Sequence, residues 1–373
     1  MLIQRYKGKT VVEAACERVS FIFDHFEQII VSISGGKDST VLAHLVLTEA
    51  KHRDRTIGLY FLDEEVVYQS SVEQVERLMR HEQAVKMWLQ LEFNLTNATS
   101  VTDGQLICWE AGQHKIWMRS KKPYSVQHPP WDSKTQTIRD KNKGFGFYDV
   151  IENFERCYHN TAFLVGLRAA GESPNRWRAV VKNPVPIGNR NVYWGTKKGD
   201  SVALYPIFDW NFHDVWKYIY EQGLPYSKIY DMQFKKGYPF NQMRVSSLIH
   251  ERSFKSICDL PEFEPKTYER LLKRIKGISL AQETGRSVKL FACRKLPQNF
   301  KSWIIYRDFL LKTHPDRDRV GIFKRRFAKH LTNEYVARQQ CRQLILNDYE
   351  NNLPVDSRPD PREELIRYYE EVL

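Results

Sequence analysis

The chain has 373 residues, a formal charge of +12, 42% hydrophobic and 13% aromatic residues, enough for a sizeable core in two domains and too apolar for a disordered chain. The opening residues Met1 to Lys7 hold no apolar run and no long apolar stretch follows, so neither a secretion signal nor a membrane span is expected. The six cysteines lie at least 35 residues apart with no Cys-x-x-Cys, which argues against zinc and iron–sulfur sites and for a reducing cytoplasm.

Thr10 and Glu13 have capping-box spacing, and apolar residues at 11, 12, 15, 19, 22, 23 and 26 predict an amphipathic helix behind them. Ile29 to Ile33 is a β-branched run that reads as a buried parallel strand. A helix is predicted over Thr40 to Ala50, apolar at 41, 42, 45 and 46. Between strand and helix stand Ser34, Gly35, Gly36, Lys37, Asp38 and Ser39. Two glycines allow left-handed backbone and close approach to a ligand. The helix N-terminus behind them favours an anion. Lys37 adds a point charge, and Ser34 and Ser39 add hydroxyl donors. The stretch reads as a phosphate cradle, against the plain alternative of a glycine-rich turn. It is not a Walker A loop, since Val31 and Asp38 stand where that pattern needs Gly and Ser or Thr. The dinucleotide fingerprint is also missing.

Thr56 to Leu62 predicts the second strand, ending at Asp63, Glu64 and Glu65. Ligands of open parallel sheets bind beyond strand carboxyl ends, so Asp63 is placed to meet nucleotide or metal, while Glu64 and Glu65 are expected to be solvated. Val66 to Leu91 reads as helix, and Phe93 to Thr99 as a third strand. The insert at 103–143, with Trp109, Trp117, Trp131 and the basic run Arg119 to Lys122, reads either as a stacking surface for a nucleotide or nucleic acid or as packing of a bulky loop. Phe163 to Arg168 predicts a strand, followed by Glu172, Arg176 and Arg178. With Arg168, these arginines suit an oxyanion or a pyrophosphate leaving group. Asn191 to Gly195 and Val202 to Ile207 read as strands. Asn211 and Asp214 start a helix that Gly223 and Pro225 close, with His213 read as a surface or packing residue.

Beyond about residue 235 the strand–helix rhythm gives way to helical patterns near 264–276, 300–311 and 331–349. The expected division is 1–235 for a nucleotide-binding domain and 236–373 for a helical, basic domain. Between Lys289 and Arg342 stand fourteen Lys or Arg against four Asp or Glu. Such an excess fits a polyanion partner or a solvated helical face.

Ser34 to Ser39 resembles the PP-loop of the ATP pyrophosphatases. With Asp63, Gly166-Leu167-Arg168, Glu172-Ser173, Arg176, Pro206-x-x-Asp209-Trp210, Asp214-Val215-Trp216 and Gly223-Leu224-Pro225-Tyr226 in this order, residues 10–235 resemble the phosphoadenosine-phosphosulfate (PAPS) reductase branch. The resemblance implies a Rossmann-like parallel sheet, ATP and Mg²⁺, with Ser34 to Ser39 on the phosphates. Asp63, Leu167 and Arg168 would flank nucleotide or substrate, and Glu172, Arg176 and Arg178 would meet substrate. Members that reduce the sulfonate carry a Glu-Cys-Gly-type tail, which Tyr368 to Leu373 does not match. The insert, Met243-Arg244-Val245 and the basic tail are more similar to a reductase-like subfamily of prophages and mobile elements encoded beside a ParB-like protein.

The leading expectation is an enzyme cleaving ATP at the α-phosphorus, with Lys37, Asp38 and Arg168 as its catalytic residues and Asp38 beside Mg²⁺. It would work with a ParB-like partner on nucleic acid. The rival is a nucleotide-dependent DNA-associated co-activator or phage-defence component without turnover. A third reading is PAPS binding with a partner's thiol.

Overall fold

The computed structural model describes residues 8–100, 103–139, 144–169, 184–250, 253–284, 296–349 and 351. It divides into two compact units, residues 1–95 with 107–247 and residues 96–106 with 248–373.

The first unit is built on strands β1 (Gln28–Ser32), β2 (Ile57–Leu62), β3 (Ala84–Leu89), β6 (Thr161–Val165), β9 (Gly195–Lys198) and β10 (Ser201–Leu204), with the short strands β7 (Val185–Ile187) and β8 (Arg190–Val192) outside the main sheet, while β4 (Phe93–Thr96) and β5 (Gln105–Cys108) run across the chain positions where the division falls. The sheet runs β3-β2-β1-β6-β10-β9, and all its pairings are parallel except β10 with β9. Val31 lies opposite Leu59 on one side and Leu164 on the other, and all three are fully buried. A strand covered on both faces has no polar side to alternate with, which is why β1 reads as a continuous apolar run. The chain builds outward from β1 through β2 to β3, then restarts at β6 on the opposite flank. The β1/β6 boundary is therefore the topological switch point, the expected ligand crevice of such a sheet.

Helices α1 (Val11–His25), α2 (Lys37–His52), α3 (Gln69–Leu78), α4 (Phe147–Glu155), α5 (Phe212–Glu221) and α6 (Ile229–Lys235) complete this unit. The capping box predicted for α1 is present, with Thr10 accepting from Glu13 N–H and Glu13 returning to Thr10. Asn211 and Asp214 form a second box on α5. Arg18 of α1 grips Asp209 with two bonds of 2.8 and 2.6 Å and donates to the Pro206 carbonyl at 2.7 Å. Trp210 Nε1 donates to the Val11 carbonyl at 3.1 Å. The Pro206-x-x-Asp209-Trp210 motif thus anchors the first helix.

The helix expected over Val66 to Leu91 is corrected. It covers only Gln69–Leu78, and Ala84–Leu89 is an edge strand parallel to β2. A turn through Arg80, His81, Glu82 and Gln83 separates the two. The first half of β3 is exposed or half-exposed, and Lys86 interrupts its apolar run.

The second unit is helical: Phe254–Phe263, Pro265–Arg274, Ile278–Thr284, Trp303–Thr313, Val320–Phe327 and Glu334–Ile345. Phe323, Phe327, Leu344 and Tyr349 form a small core. The excursion 96–106 belongs here through Ala98 N–H to the Ile249 carbonyl at 2.9 Å and Asn347 Nδ2 to the Ser100 carbonyl at 2.7 Å. Part of the positive charge in this unit is internal. Arg307 is buried and donates to Asp308, Gln340 and the Leu331 carbonyl. Arg319 lies 3.5 Å over the Tyr349 ring, and Arg326 donates to the Asp348 carbonyl. Lys301, Lys312, Arg317, Lys324, Arg325, Lys329 and Arg342 remain exposed. Among the described residues no helix is long and apolar enough to cross a membrane.

Candidate functional site

The β1–α2 turn lies at the switch point. Gly35 has φ +71°, and a Cβ there would come within 2.3 Å of the Ser71 backbone carbonyl. Conformation and space both demand glycine. The first bond inside α2 runs from Thr40 N–H to the Gly36 carbonyl at 2.9 Å, so the amides of Lys37, Asp38 and Ser39 precede the helical ladder. The two serines stitch the turn closed. Ser39 Oγ accepts from Ser34 N–H at 3.1 Å, donates to the Gly36 carbonyl at 3.0 Å and lies 3.2 Å from Ser34 Oγ. All six predicted residues are brought together: five form the turn's wall, and Ser34 is exposed at its mouth.

The end of β6 meets this turn. A Cβ on Gly166 would lie 3.1 Å from the Asp38 carbonyl carbon and the Ser39 nitrogen, so the missing side chain lets the end of β6 touch the first turn of α2. Leu167 turns back, its N–H donating to the Val165 carbonyl at 2.8 Å, and its side chain packs against Ala203 and Tyr205. Arg168 then reaches Asp38, Nε to Oδ1, at 2.5 Å. The other oxygen, Oδ2, accepts from Lys37 Nζ at 3.1 Å. Lys37 and Arg168 are both largely buried, so the switch point concentrates two cations on one carboxylate. Each Asp38 oxygen accepts from one cation and keeps a second lone pair.

Tyr230, on α6, was not singled out from sequence. Its hydroxyl accepts from Lys37 N–H at 3.1 Å, and Lys37 Nζ lies 5.6 Å from its ring centroid. Burial, and then the Asp38 charge, push this phenol well above the ordinary tyrosine range. Val245 also closes on the turn, with Cγ2 3.2 Å from where a Gly36 Cβ would stand. The Gly223-Leu224-Pro225-Tyr226 motif was the available signal, since it delivers the chain to α6.

The β2 end is different. Asp63 is fully buried. Its Oδ2 accepts from Trp88 Nε1 and Gln90 Nε2, each at 3.0 Å, and its Oδ1 accepts from Glu65 N–H at 3.0 Å and from Arg119. Its backbone carbonyl takes Trp109 Nε1 at 2.7 Å. Glu65, expected in solvent, is corrected: it is fully buried with φ +62°. Its carboxylate accepts from the backbone N–H of Trp109 at 2.7 Å and of Met118 at 3.3 Å. The acids at this strand end hold the insert, which explains a buried Trp109 and Arg119. Glu64 is partly covered, and desolvation pushes its carboxyl up to about 7, with the Asp63 charge adding to the rise and a Ser247 hydrogen bond opposing it.

Glu172, Arg176 and Arg178 lie outside the described residues. Among the described residues no group of three or more His, Cys, Asp or Glu is placed to hold a metal.

A family profile described as the phosphoadenosine phosphosulfate reductase domain matches residues 28–262. One described as a domain of unknown function (DUF3440) matches residues 237–335. The protein YbdN of Escherichia coli (strain K12) is 24% identical over 318 residues, covering 82% of this chain and 76% of that protein. Adenosine 5'-phosphosulfate reductase of Geobacillus thermodenitrificans (strain NG80-2) is 33% identical over 103 residues, 27% of this chain and 36% of that one. Sulfate adenylyltransferase subunit 2 of Pseudomonas aeruginosa (strain LESB58) is 26% identical over 98 residues, 26% of this chain and 31% of that one.

Proposed function

The chain belongs to the phosphoadenosine phosphosulfate reductase domain family, and from that premise we propose that it binds ATP at the β1–α2 turn and cleaves it at the α-phosphorus. An acceptor oxygen attacks that phosphorus, the bond to the bridging oxygen breaks, and its electron pair leaves with pyrophosphate. Water as acceptor yields AMP, and a hydroxyl or carboxylate yields an adenylated product. The observation that carries this reading is the pairing of two buried cations, Lys37 and Arg168, on Asp38 beside the first amides of α2. A triphosphate tail can take over those cations from Asp38, and the negative charge growing on pyrophosphate then falls among donors already in place. Mg²⁺ would arrive on the phosphates, where it supplies further charge neutralisation, and Asp38 serves to orient Lys37 and Arg168.

A second reading, favoured by the exposed lysines and arginines of residues 301–342, is a protein that couples nucleotide binding to nucleic acid, with a ParB-like partner, without turnover. One assay separates the two. ATP is supplied with Mg²⁺, DNA or RNA, and a ParB-like protein, and products are resolved by chromatography. AMP and pyrophosphate support cleavage at the α-phosphorus. ADP and phosphate as the sole products reject it. Nucleic-acid binding that weakens steeply with salt and leaves ATP intact supports the second reading.

A further inference from the structure

Tyr230 carries a donor that nothing described in the protein receives. Its side chain is 2% exposed, and its oxygen already accepts from Lys37 N–H at 3.1 Å. Among the described residues the hydroxyl proton has no acceptor. Asp38, whose charge acts on this phenol, holds Arg168 with one oxygen and Lys37 with the other. A buried hydroxyl without a partner costs about 1–3 kcal/mol, and such a group calls for an explanation in a ligand or a constraint. The phenol is kept protonated by its burial and by the neighbouring carboxylate, so it remains a donor at any physiological pH. The amide hydrogen bond entering its oxygen polarises the O–H and strengthens it as a donor.

What this donor faces follows from its place. The Oη lies 3.5 Å from the position of a Cβ on Gly36 and contacts the first amide of α2, so it stands on the turn itself. An anionic oxygen that only accepts, held where Lys37 and the helix amides converge, matches it. We propose that Tyr230 is a phosphate-binding residue of this site, donating its hydroxyl proton to an oxygen of the terminal phosphates of a nucleoside triphosphate and so extending the Lys37 amide by one hydrogen-bonded step. Its inclusion makes the phosphate site three-sided: turn, β6 end and α6. This rests on the reading of the turn as a phosphate site.

Tyr230→Phe removes one oxygen and keeps the ring. Calorimetric titration of the full chain with inorganic pyrophosphate should show affinity about tenfold weaker in the variant, with adenosine bound equally by both proteins. A hydroxyl that only caps the helix predicts a lower melting temperature and unchanged pyrophosphate affinity, and that result overturns the proposal. Wild-type protein that binds neither pyrophosphate nor ATP overturns the phosphate-site reading itself, and this inference with it. Should the variant not fold, wild-type crystals soaked in pyrophosphate decide. Oη at about 2.7 Å from a phosphate oxygen supports the assignment, and a separation beyond about 4 Å refutes it.

Discussion

Leaving β1, the chain turns through Gly35 and presents backbone amides, two serine hydroxyls and two cations that converge on one carboxylate. Leaving β2, the adjacent parallel strand, it turns through Glu65 with the same sign of φ but buries both acids under Trp88, Gln90, Trp109 and Arg119. The first turn gathers donors and positive charge around the start of a helix, an arrangement suited to receiving an anion. The second satisfies its charges inside the protein and in doing so fastens a long insert to the sheet. An acidic residue at a strand's carboxyl end is therefore no sign of a ligand contact by itself; the number of protein donors already on it decides.

Four variants sharpen or break this contrast. Arg119→Ala should have the largest effect, because it strands Asp63 as a buried charge. A loss of about 3–5 kcal/mol in urea unfolding is expected, with pyrophosphate affinity of the folded fraction unchanged. Reduced affinity at full stability would place Arg119 in the ligand site instead.

Glu64 tests the same strand end through pH. Its folded pKa, about 7, lies above the unfolded value of 4.5, so unfolding releases a proton between those limits. Its contribution is fully present below pH 4.5 and is lost as pH rises through 7. Glu64→Gln should therefore exceed wild type in stability at pH 8 by up to about 3 kcal/mol, with the gap closing in acid. A gap that widens in acid contradicts the assignment.

Gly35→Ala should cost about 1–3 kcal/mol in backbone strain alone. Its Cβ would also meet a backbone carbonyl at 2.3 Å, so pyrophosphate binding should vanish by calorimetry. Retained binding would show that the turn tolerates rearrangement and does not hold the phosphates. Lys37→Ala is the mildest, with about tenfold weaker pyrophosphate affinity expected from one lost charge-assisted hydrogen bond. No change in affinity would mean that Lys37 serves Asp38 alone.

The glycine turn between β1 and α2 was readable in the sequence because its signals are local. A β-branched strand, two glycines and an amphipathic helix lie within about two dozen residues, and each constrains the backbone directly. The capping box at Thr10 and the N-cap at Asn211 were readable for the same reason. Glu65 and Tyr230 were not, since their partners are distant along the chain: Trp109 and Met118 for one, Lys37 for the other. Burial of a glutamate depends on donors that arrive from an insert, and no spacing rule announces them. The edge strand β3 was missed because a short apolar run interrupted only by Lys86 fits a helix as well as a strand. The basic stretch shows a further limit. Charge counts treat Arg307, Arg319 and Arg326 as surface, whereas the fold turns them inward.

A crystal structure with Mg²⁺ and an ATP analogue that resists cleavage between the α and β phosphates tests the account most directly. The predicted density places the β and γ phosphates on the Ser34–Ser39 turn, Lys37 and Arg168 drawn onto them, and the α-phosphorus open toward the crevice. Triphosphate bound elsewhere, with Lys37 and Arg168 still on Asp38, would contradict it.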